Sequence, residues 1–288
     1  MTTEQPTAPF LLTVSCPDRI GIVAAVSRFL VDHACNIVES AQYGDHENGR
    51  FFLRTGFEST AGRTLAELEA AFAAIAAQYG MEARFFDMRR RTPTLLMVSK
   101  FGHCLNDLLF RWRIGALPID IKAVASNHAD FGDLVRGHGL DFHHLPVTRD
   151  TKQAQEAKVE QLAADHGVEL IVLARYMQIL SSEMCARHPG RIINIHHSFL
   201  PSFIGARPYH AAHDRGVKLI GATAHYVTQD LDEGPIIEQA VDRVTHTQSV
   251  NDYIATGRDL EAMVLARAVK WHAEHRVLLN GRRTVIFH

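Results

Sequence analysis

In the stretch INIHHSFLPSFIGARPYH, Ile193 to His210, an apolar run ends in Asn194, His196, His197 and Ser198, residue types able to polarise a carbonyl or move a proton. In an extended strand Asn194 and His196 leave one face about 6.6 Å apart, and His197 is expected on the other. An asparagine amide donates to a carbonyl oxygen or to the oxyanion it becomes, and an imidazole moves a proton near neutral pH. The pair therefore suits carbonyl chemistry. A carboxylate would complete it by favouring imidazolium and holding water, and the turn QDLDEGP supplies Asp230, Asp232 and Glu233. Acidic residues and glycine are also ordinary turn formers, so spacing alone leaves the catalytic and the purely structural readings open.

Other chemistries find weaker support. The chain has 18 histidines, and His143 with His144, His196 with His197, and His210 with His213 are conceivable ligand pairs. No H-E-x-x-H is present, and neighbouring strand residues face opposite sides, so the expectation is no metal. Ser198 lacks the G-x-S-x-G elbow, and Cys104 has no visible activating setting beyond a possible helix start. The turn SKFGHCLND holds one glycine, where a phosphate cradle generally needs several.

These residues need elements to hold them. A length of 288 residues with 47% hydrophobic content suits two cores. From PFLLTVSC to MEARFFDM the order reads β-α-β-β-α-β. DRIGIVAAVSRFLVDH sets Ile22, Val23, Val26, Phe29 and Leu30 at helical spacing, and the Asn48-Gly49 pair signals a hairpin. This predicts a ferredoxin-like unit over 9–88, a split βαβ arrangement. The charged run RRRTP, 89–93, reads as a linker. Beyond it, over 94–288, short apolar strands alternate with amphipathic helices, which predicts a Rossmann-like α/β domain with a mostly parallel sheet. Two longer strands, KLIGATAHYVT and GPIIEQAVDRV, flank the acidic turn, and a helix is expected from about Val250 to Leu278. In open α/β sheets ligands bind beyond the carboxyl ends of the strands, where INIHH ends.

The balance of 30 basic against 32 acidic residues, a formal charge of −2, gives no basis for phosphate-driven nucleic-acid binding. Four scattered cysteines form no C-x-x-C pair, which implies reduced thiols and a cytoplasmic setting. No run approaches the ~20 apolar residues that span a bilayer, and MTTEQPTAPF has no signal-peptide pattern. A small-molecule partner is expected.

INIHHSFLPSFIGA, GATAHYVTQDLDEGPII and LARYMQIL, in that combination, resemble the folate-dependent formyltransferases. GARPYHAAHDRGVKLIGATAHYV, the His-His pair and the N-terminal unit resemble the formyltetrahydrofolate deformylase family within them. The resemblance covers essentially the whole chain. It implies that Asn194 and His196 polarise the formyl oxygen and stabilise the tetrahedral intermediate, and that Asp232 organises His196 and the attacking water. Asp230 and Glu233 do not match the catalytic position. Met177, Gln178 and Leu180 match the segment whose backbone holds the pterin, and Thr228 and Gln229 match the opposite wall. The single-glycine first turn departs from the transferases that bind a nucleotide acceptor, which leaves water as the nucleophile and no cofactor.

DRIGIV, Asp18 to Val23, makes the first unit resemble an ACT domain. That implies an amino-acid site at Asp18, Arg19 and Gly21, with glycine or methionine as effectors, and assembly into a homo-oligomer, a dimer or a tetramer. Two rivals stand beside hydrolysis: a formyltransferase with an unseen acceptor, and a non-catalytic folate or amino-acid sensor.

Overall fold

The computed structural model describes residues 9–201 and 208–288. The motif segment SFIGAR and the residues read for a signal peptide, other than Pro9 and Phe10, lie outside them. The chain divides into two units, one of 9–90 with 274–278 and 285–288, the other of 91–273 with 279–284.

The first unit runs β1 (Phe10–Pro17), α1 (Ile22–Asp32), β2 (Cys35–Asp45), β3 (Arg50–Ser59), α2 (Leu65–Tyr79) and β4 (Glu82–Asp87). Its antiparallel sheet has the order β2-β3-β1-β4, the ferredoxin-like arrangement. The turn between β2 and β3 is fixed by Asp45, whose carboxylate accepts from the backbone of Glu47 and the side chain of Asn48. Helix α2 starts where Thr64 and Glu67 cap each other's backbone N–H. The helices pack Phe29, Leu68 and Phe72 against Leu12, Val14 and Phe57 of the sheet. Val23, expected on the buried stripe of α1, is 42% exposed. Ile22, Val26, Phe29 and Leu30 follow the i, i+4, i+7, i+8 rule, and Val23 stands one residue off it.

In the second unit the strands and helices alternate: β5 (Thr92–Val98), α3 (His103–Arg113), β6 (Ile119–Ser126), α4 (Gly132–Gly137), β7 (Phe142–His144), α5 (Lys152–Asp165), β8 (Leu170–Leu173), α6 (Ser182–Arg187) and β9 (Ile192–His196). Then follow α7 (Pro208–Arg215), β10 (Leu219–Tyr226), β11 (Ile236–Arg243) and α8 (Val250–Ala273). The seven-stranded sheet has the order β11-β10-β9-β8-β5-β6-β7, parallel from β9 to β7 and antiparallel at β10 and β11. The parallel strands are nearly continuous apolar runs because helices cover both faces. Leu95, Met97, Ile171, Leu173 and Ile192 pack with Val159 of α5 and Met184 of α6.

Three expectations are corrected at the boundaries. Strand β5 begins at Thr92, paired with Ile119, inside the segment read as a linker. Pro93 tolerates the second position of a strand, where the ladder is only starting, so it is no breaker here. The last helix ends at Ala273 and not near Leu278. The chain after it forms the hairpin β12 (Val277–Asn280) and β13 (Arg283–Ile286) about Asn280-Gly281, the same dipeptide signal that was used for the first hairpin. Residues 274–278 and 285–288 belong to the first unit, not to a domain running unbroken from 94 to 288. There Leu278, Val285 and Phe287 close over Phe52 on β3, while His275 stacks on Phe86 at 3.6 Å.

Tyr226 on β10 and His272 on α8 share a hydrogen bond of 2.7 Å. Burial pushes the His272 imidazole down to about 4, against a smaller upward pull from Glu169. In the unfolded chain a histidine takes its proton near 6.5. Between the two values only the unfolded chain binds the proton, so this contribution to stability is complete above about pH 6.5 and is lost as pH falls toward 4. We expect roughly 3 kcal/mol of acid destabilisation from this group, and His272→Gln to flatten that slope when urea midpoints are followed from pH 7 to 4. An unchanged slope would exclude His272 as its source.

Candidate active site

Strand alternation and one antiparallel register build the site. Strand β9 ends in Asn194 and His196, and β10 pairs with it so that Thr223 lies opposite His196 and His225 opposite Asn194. The turn between β10 and β11 brings back Asp232, whose backbone is left-handed with φ 57°. Gly234 makes that turn possible: a Cβ there would sit 1.7 Å from the Tyr226 carbonyl oxygen. The acidic turn thus presses flat against the end of β10, and only glycine fits two residues after Asp232.

Asp232 Oδ2 lies 3.2 Å from His196 Nδ1, and Oδ1 lies 3.6 Å from His225 Nε2. Burial pushes the Asp232 carboxyl up, but the two imidazoles outweigh it and hold it well below the usual carboxylate range. An ionised carboxylate only accepts, so the hydrogen of the His196 ring sits on Nδ1. Nε2 of that ring, fully buried, has no hydrogen-bond partner among the described residues. His225 is fixed differently. Its Nδ1 is 2.9 Å from the Tyr226 carbonyl, to which it can only donate, and its Nε2 faces the Asn194 amide nitrogen at 3.3 Å. The amide therefore turns its NH₂ toward His225, which leaves the second N–H of the amide for a ligand. At 3.6 Å the Asp232–His225 approach is an electrostatic neighbour and not a hydrogen bond.

Asn194, His196, His225 and Asp232 line a cavity of about 350 Å³. Met177, Gln178, Leu180, Thr228 and Gln229 line the same cavity, with Arg175, Tyr176, Ile179 and Leu231 among their neighbours. Ser99 ties one wall down: its hydroxyl accepts from the Met177 backbone at 2.9 Å and donates to Asn127 at 2.7 Å. Asp230 and Glu233 do not line the cavity, and Glu233 pairs with Arg282 at 2.8 Å.

His197 departs from expectation. Strand β9 ends at His196, so alternation no longer governs the next residue, and the His197 ring stacks on His196 at 4.9 Å and 17°. It faces the same cavity. His225, Arg175 and Glu261 were not singled out from the sequence. For His225 the signal was available: Thr223 and His225 share one face of β10, and antiparallel pairing with β9 places them beside His196 and Asn194.

Burial, with Glu261 adding to it, pushes the Cys104 thiol well up, which removes it as a nucleophile. His103, Cys104 and Glu261 bring ligand atoms within 4.8 Å of one another, the one such group among the described residues, but Arg175 Nε already stands 3.1 Å from that carboxylate. In the other unit, Arg19 donates to the Tyr79 carbonyl at 3.1 Å and lies over the Tyr79 ring. Gly21, with φ 96°, begins α1, and the Asp18 backbone N–H is tied to Gly49 at 2.8 Å.

A formyl transferase family model matches residues 93–269, and an ACT domain model matches residues 10–73. A curated formyltetrahydrofolate deformylase of Corynebacterium sp. (strain P-1) is 51% identical over 277 residues, 96% of this chain and 97% of that protein. The chain belongs to the formyltetrahydrofolate deformylase family. Within that family, the deformylase of Escherichia coli (strain K12) is 41% identical over 96% of this chain and 97% of its own length. The crystal structure of the deformylase from Burkholderia mallei ATCC 23344 matches with a TM-score of 0.94 and 52% identity, covering 98% of this chain and 100% of that one. Outside the deformylases, a glycinamide ribonucleotide transformylase from Symbiobacterium toebii matches with a TM-score of 0.64 and 33% identity over 69% of this chain and 95% of that one. The deformylase family fold thus combines an ACT unit, a ferredoxin-like sheet, with a formyltransferase unit and its mostly parallel sheet. No helix among the described residues is long and apolar enough to cross a membrane.

Proposed function

We propose that the chain hydrolyses 10-formyltetrahydrofolate to formate and tetrahydrofolate, with Asn194, His196 and Asp232 as catalytic residues and water as the acceptor. The observation that carries this reading is the His196 ring, held through Nδ1 by Asp232 at 3.2 Å, with a buried Nε2 that has no hydrogen-bond partner among the described residues, in the cavity that Asn194 also lines. Water attacks the formyl carbon and gives its proton to Nε2. The Asn194 amide and the imidazolium take up the charge that develops on the formyl oxygen. The proton then passes to N10, the carbon–N10 bond breaks, and formate and tetrahydrofolate leave. Asp232 stays ionised throughout and stabilises the imidazolium. Met177, Gln178, Leu180, Thr228 and Gln229 hold the pterin. No step calls on a metal or a further cofactor.

The first βα turn supports water over a nucleotide acceptor. A Cβ at Gly102 would lie 2.3 Å from the Phe131 ring, so that ring already fills the space over the one glycine of the turn. A phosphate cradle needs that space open for the anion to approach the backbone N–H groups. The deciding experiment is incubation with 10-formyltetrahydrofolate and no acceptor. Stoichiometric formate and tetrahydrofolate are expected, whereas turnover only on adding an amine acceptor would make the chain a transferase. Binding with no turnover under either condition would make it a sensor.

The ACT unit is the regulatory part of this reading, in a cytoplasmic homo-oligomer, a dimer or a tetramer. Glycine or methionine binds at Asp18, Arg19 and Gly21, and repeating the formate assay with each amino acid tests it. An unchanged rate with both would leave this unit without an amino-acid effector role.

A further inference from the structure

The formyltransferase unit contains a buried chain of charged groups that the hydrolysis above does not use. Arg175 follows β8 and is itself in the left-handed region, φ 63°, where a long side chain is uncommon and is kept only when its surroundings demand it. Its guanidinium is about nine-tenths buried and reaches two groups: Nη1 lies 2.6 Å from His197 Nδ1, and Nε lies 3.1 Å from Glu261 Oε2. Glu261, fully buried on α8, also accepts from the Tyr209 hydroxyl at 2.5 Å and pairs with His103 Nε2 at 2.8 Å. The far end of the chain is the His197 ring, stacked on His196.

We infer that Arg175 is a positioning residue that decides which of the two stacked histidines carries the proton. A guanidinium has only donors. Facing Arg175, His197 Nδ1 must therefore be a bare acceptor, so His197 is neutral with its hydrogen on Nε2. A second imidazole 4.9 Å from His196 would otherwise compete for the same proton, and two such sites titrate as a coupled pair. Arg175 removes that competition, and Glu261 balances the charge Arg175 brings in. His196, which faces the Asp232 carboxylate, is then the one ring of the stack that cycles. Among the described residues, Asp232 stands beside His196 with His225 next to it, Arg175 stands beside His197, and Glu261, paired with His103 and Tyr209, stands behind Arg175.

The inference deepens the hydrolytic reading and rests on His196 as its proton carrier, so the first test is independent of turnover. In ¹⁵N-histidine NMR of the full chain, the signal assigned to His197 by its loss in His197→Asn should show a bare, pyridine-type Nδ1 from pH 8 down to about pH 5, well below the ordinary histidine value. A His197 protonated on Nδ1 in that range overturns the inference whether or not the hydrolytic reading stands. Failure of the acceptor-free assay with the NMR result intact would fault only the hydrolytic reading.

The second test is kinetic. Arg175→Met is expected to lower kcat by about 10²-fold, the scale of one general acid–base contribution, with KM changed less than about threefold, since uniform binding is left intact. The acid limb of its kcat/KM profile should gain a second proton relative to the unaltered protein, and that extra proton should vanish in Arg175→Met/His197→Asn. A limb with the same slope in all three would reduce Arg175 to a packing role. Removing one member of a buried pair can prevent folding. The charge-balanced Arg175→Met/Glu261→Gln keeps the Tyr209 partner, and the same gain of a proton is expected of it; its absence overturns the inference equally.

Discussion

Asp232→Asn lowers formate release by roughly 10⁴-fold while the protein keeps its fold, the scale seen when a histidine's carboxylate partner becomes an amide. The reason is the tautomer. Asp232 Oδ2 faces His196 Nδ1 at 3.2 Å and, as a carboxylate, keeps the hydrogen on that nitrogen. An asparagine can present its NH₂ there, which stabilises the other tautomer and blocks Nε2 as the acceptor of the water's proton. The fold should survive because asparagine is among the few side chains that tolerate the left-handed backbone this position requires, φ 57°. Glu233→Gln is the matched control, since Glu233 pairs with Arg282 outside the cavity. Formate release by both variants, with far-UV circular dichroism alongside, decides the point. Damage from Glu233→Gln and not from Asp232→Asn would move the catalytic carboxylate by one residue. The carboxyl of Asp232 is held well below its usual range, so no acid limb above about pH 4, the ordinary aspartate value, is assigned to it.

Asn194→Ala lowers kcat by about 10²- to 10³-fold, the usual cost of one oxyanion donor, with a smaller effect on KM. The amide is oriented by His225, whose Nδ1–H is committed to the Tyr226 carbonyl. Its N–H is thus aimed before substrate arrives, and the loss should fall on the transition state more than on binding. Steady-state kinetics at saturating and at low substrate separate the two. Full retention of kcat would remove Asn194 from the oxyanion role.

Much of this architecture is written in local patterns. The capping pair Thr64 and Glu67, the Asn48-Gly49 turn and the apolar stripe of α1 each specify their element within a few residues, so the ferredoxin-like order could be read directly. The β9 strand end and the acidic turn were also legible, since Asn194, His196 and Asp232 have residue types that few structural roles require together. What escaped depends on long-range pairing. His225 becomes a site residue only through the β9–β10 register. Arg175 and Glu261 are 86 positions apart, and no local spacing announces that they meet. His197 was misplaced because the strand stops one residue earlier than the apolar pattern suggests. The terminal hairpin was hidden by a helical run that continues smoothly to Ala273.

That hairpin has a consequence for the order of events during synthesis. The sheet of the first unit covers one face with its own two helices, but on the other face Phe52 is capped by Leu278, Val285 and Phe287. Domains generally fold from the N-terminus as they emerge, yet this one lacks part of its second face until almost two hundred further residues have been translated. Nascent chains must therefore carry an unfinished ACT sheet through the entire synthesis of the formyltransferase unit. A fragment cut after residue 90 has the same missing lid, so a soluble, isolated ACT unit calls for residues 274–288 to be supplied in trans or joined by a short linker.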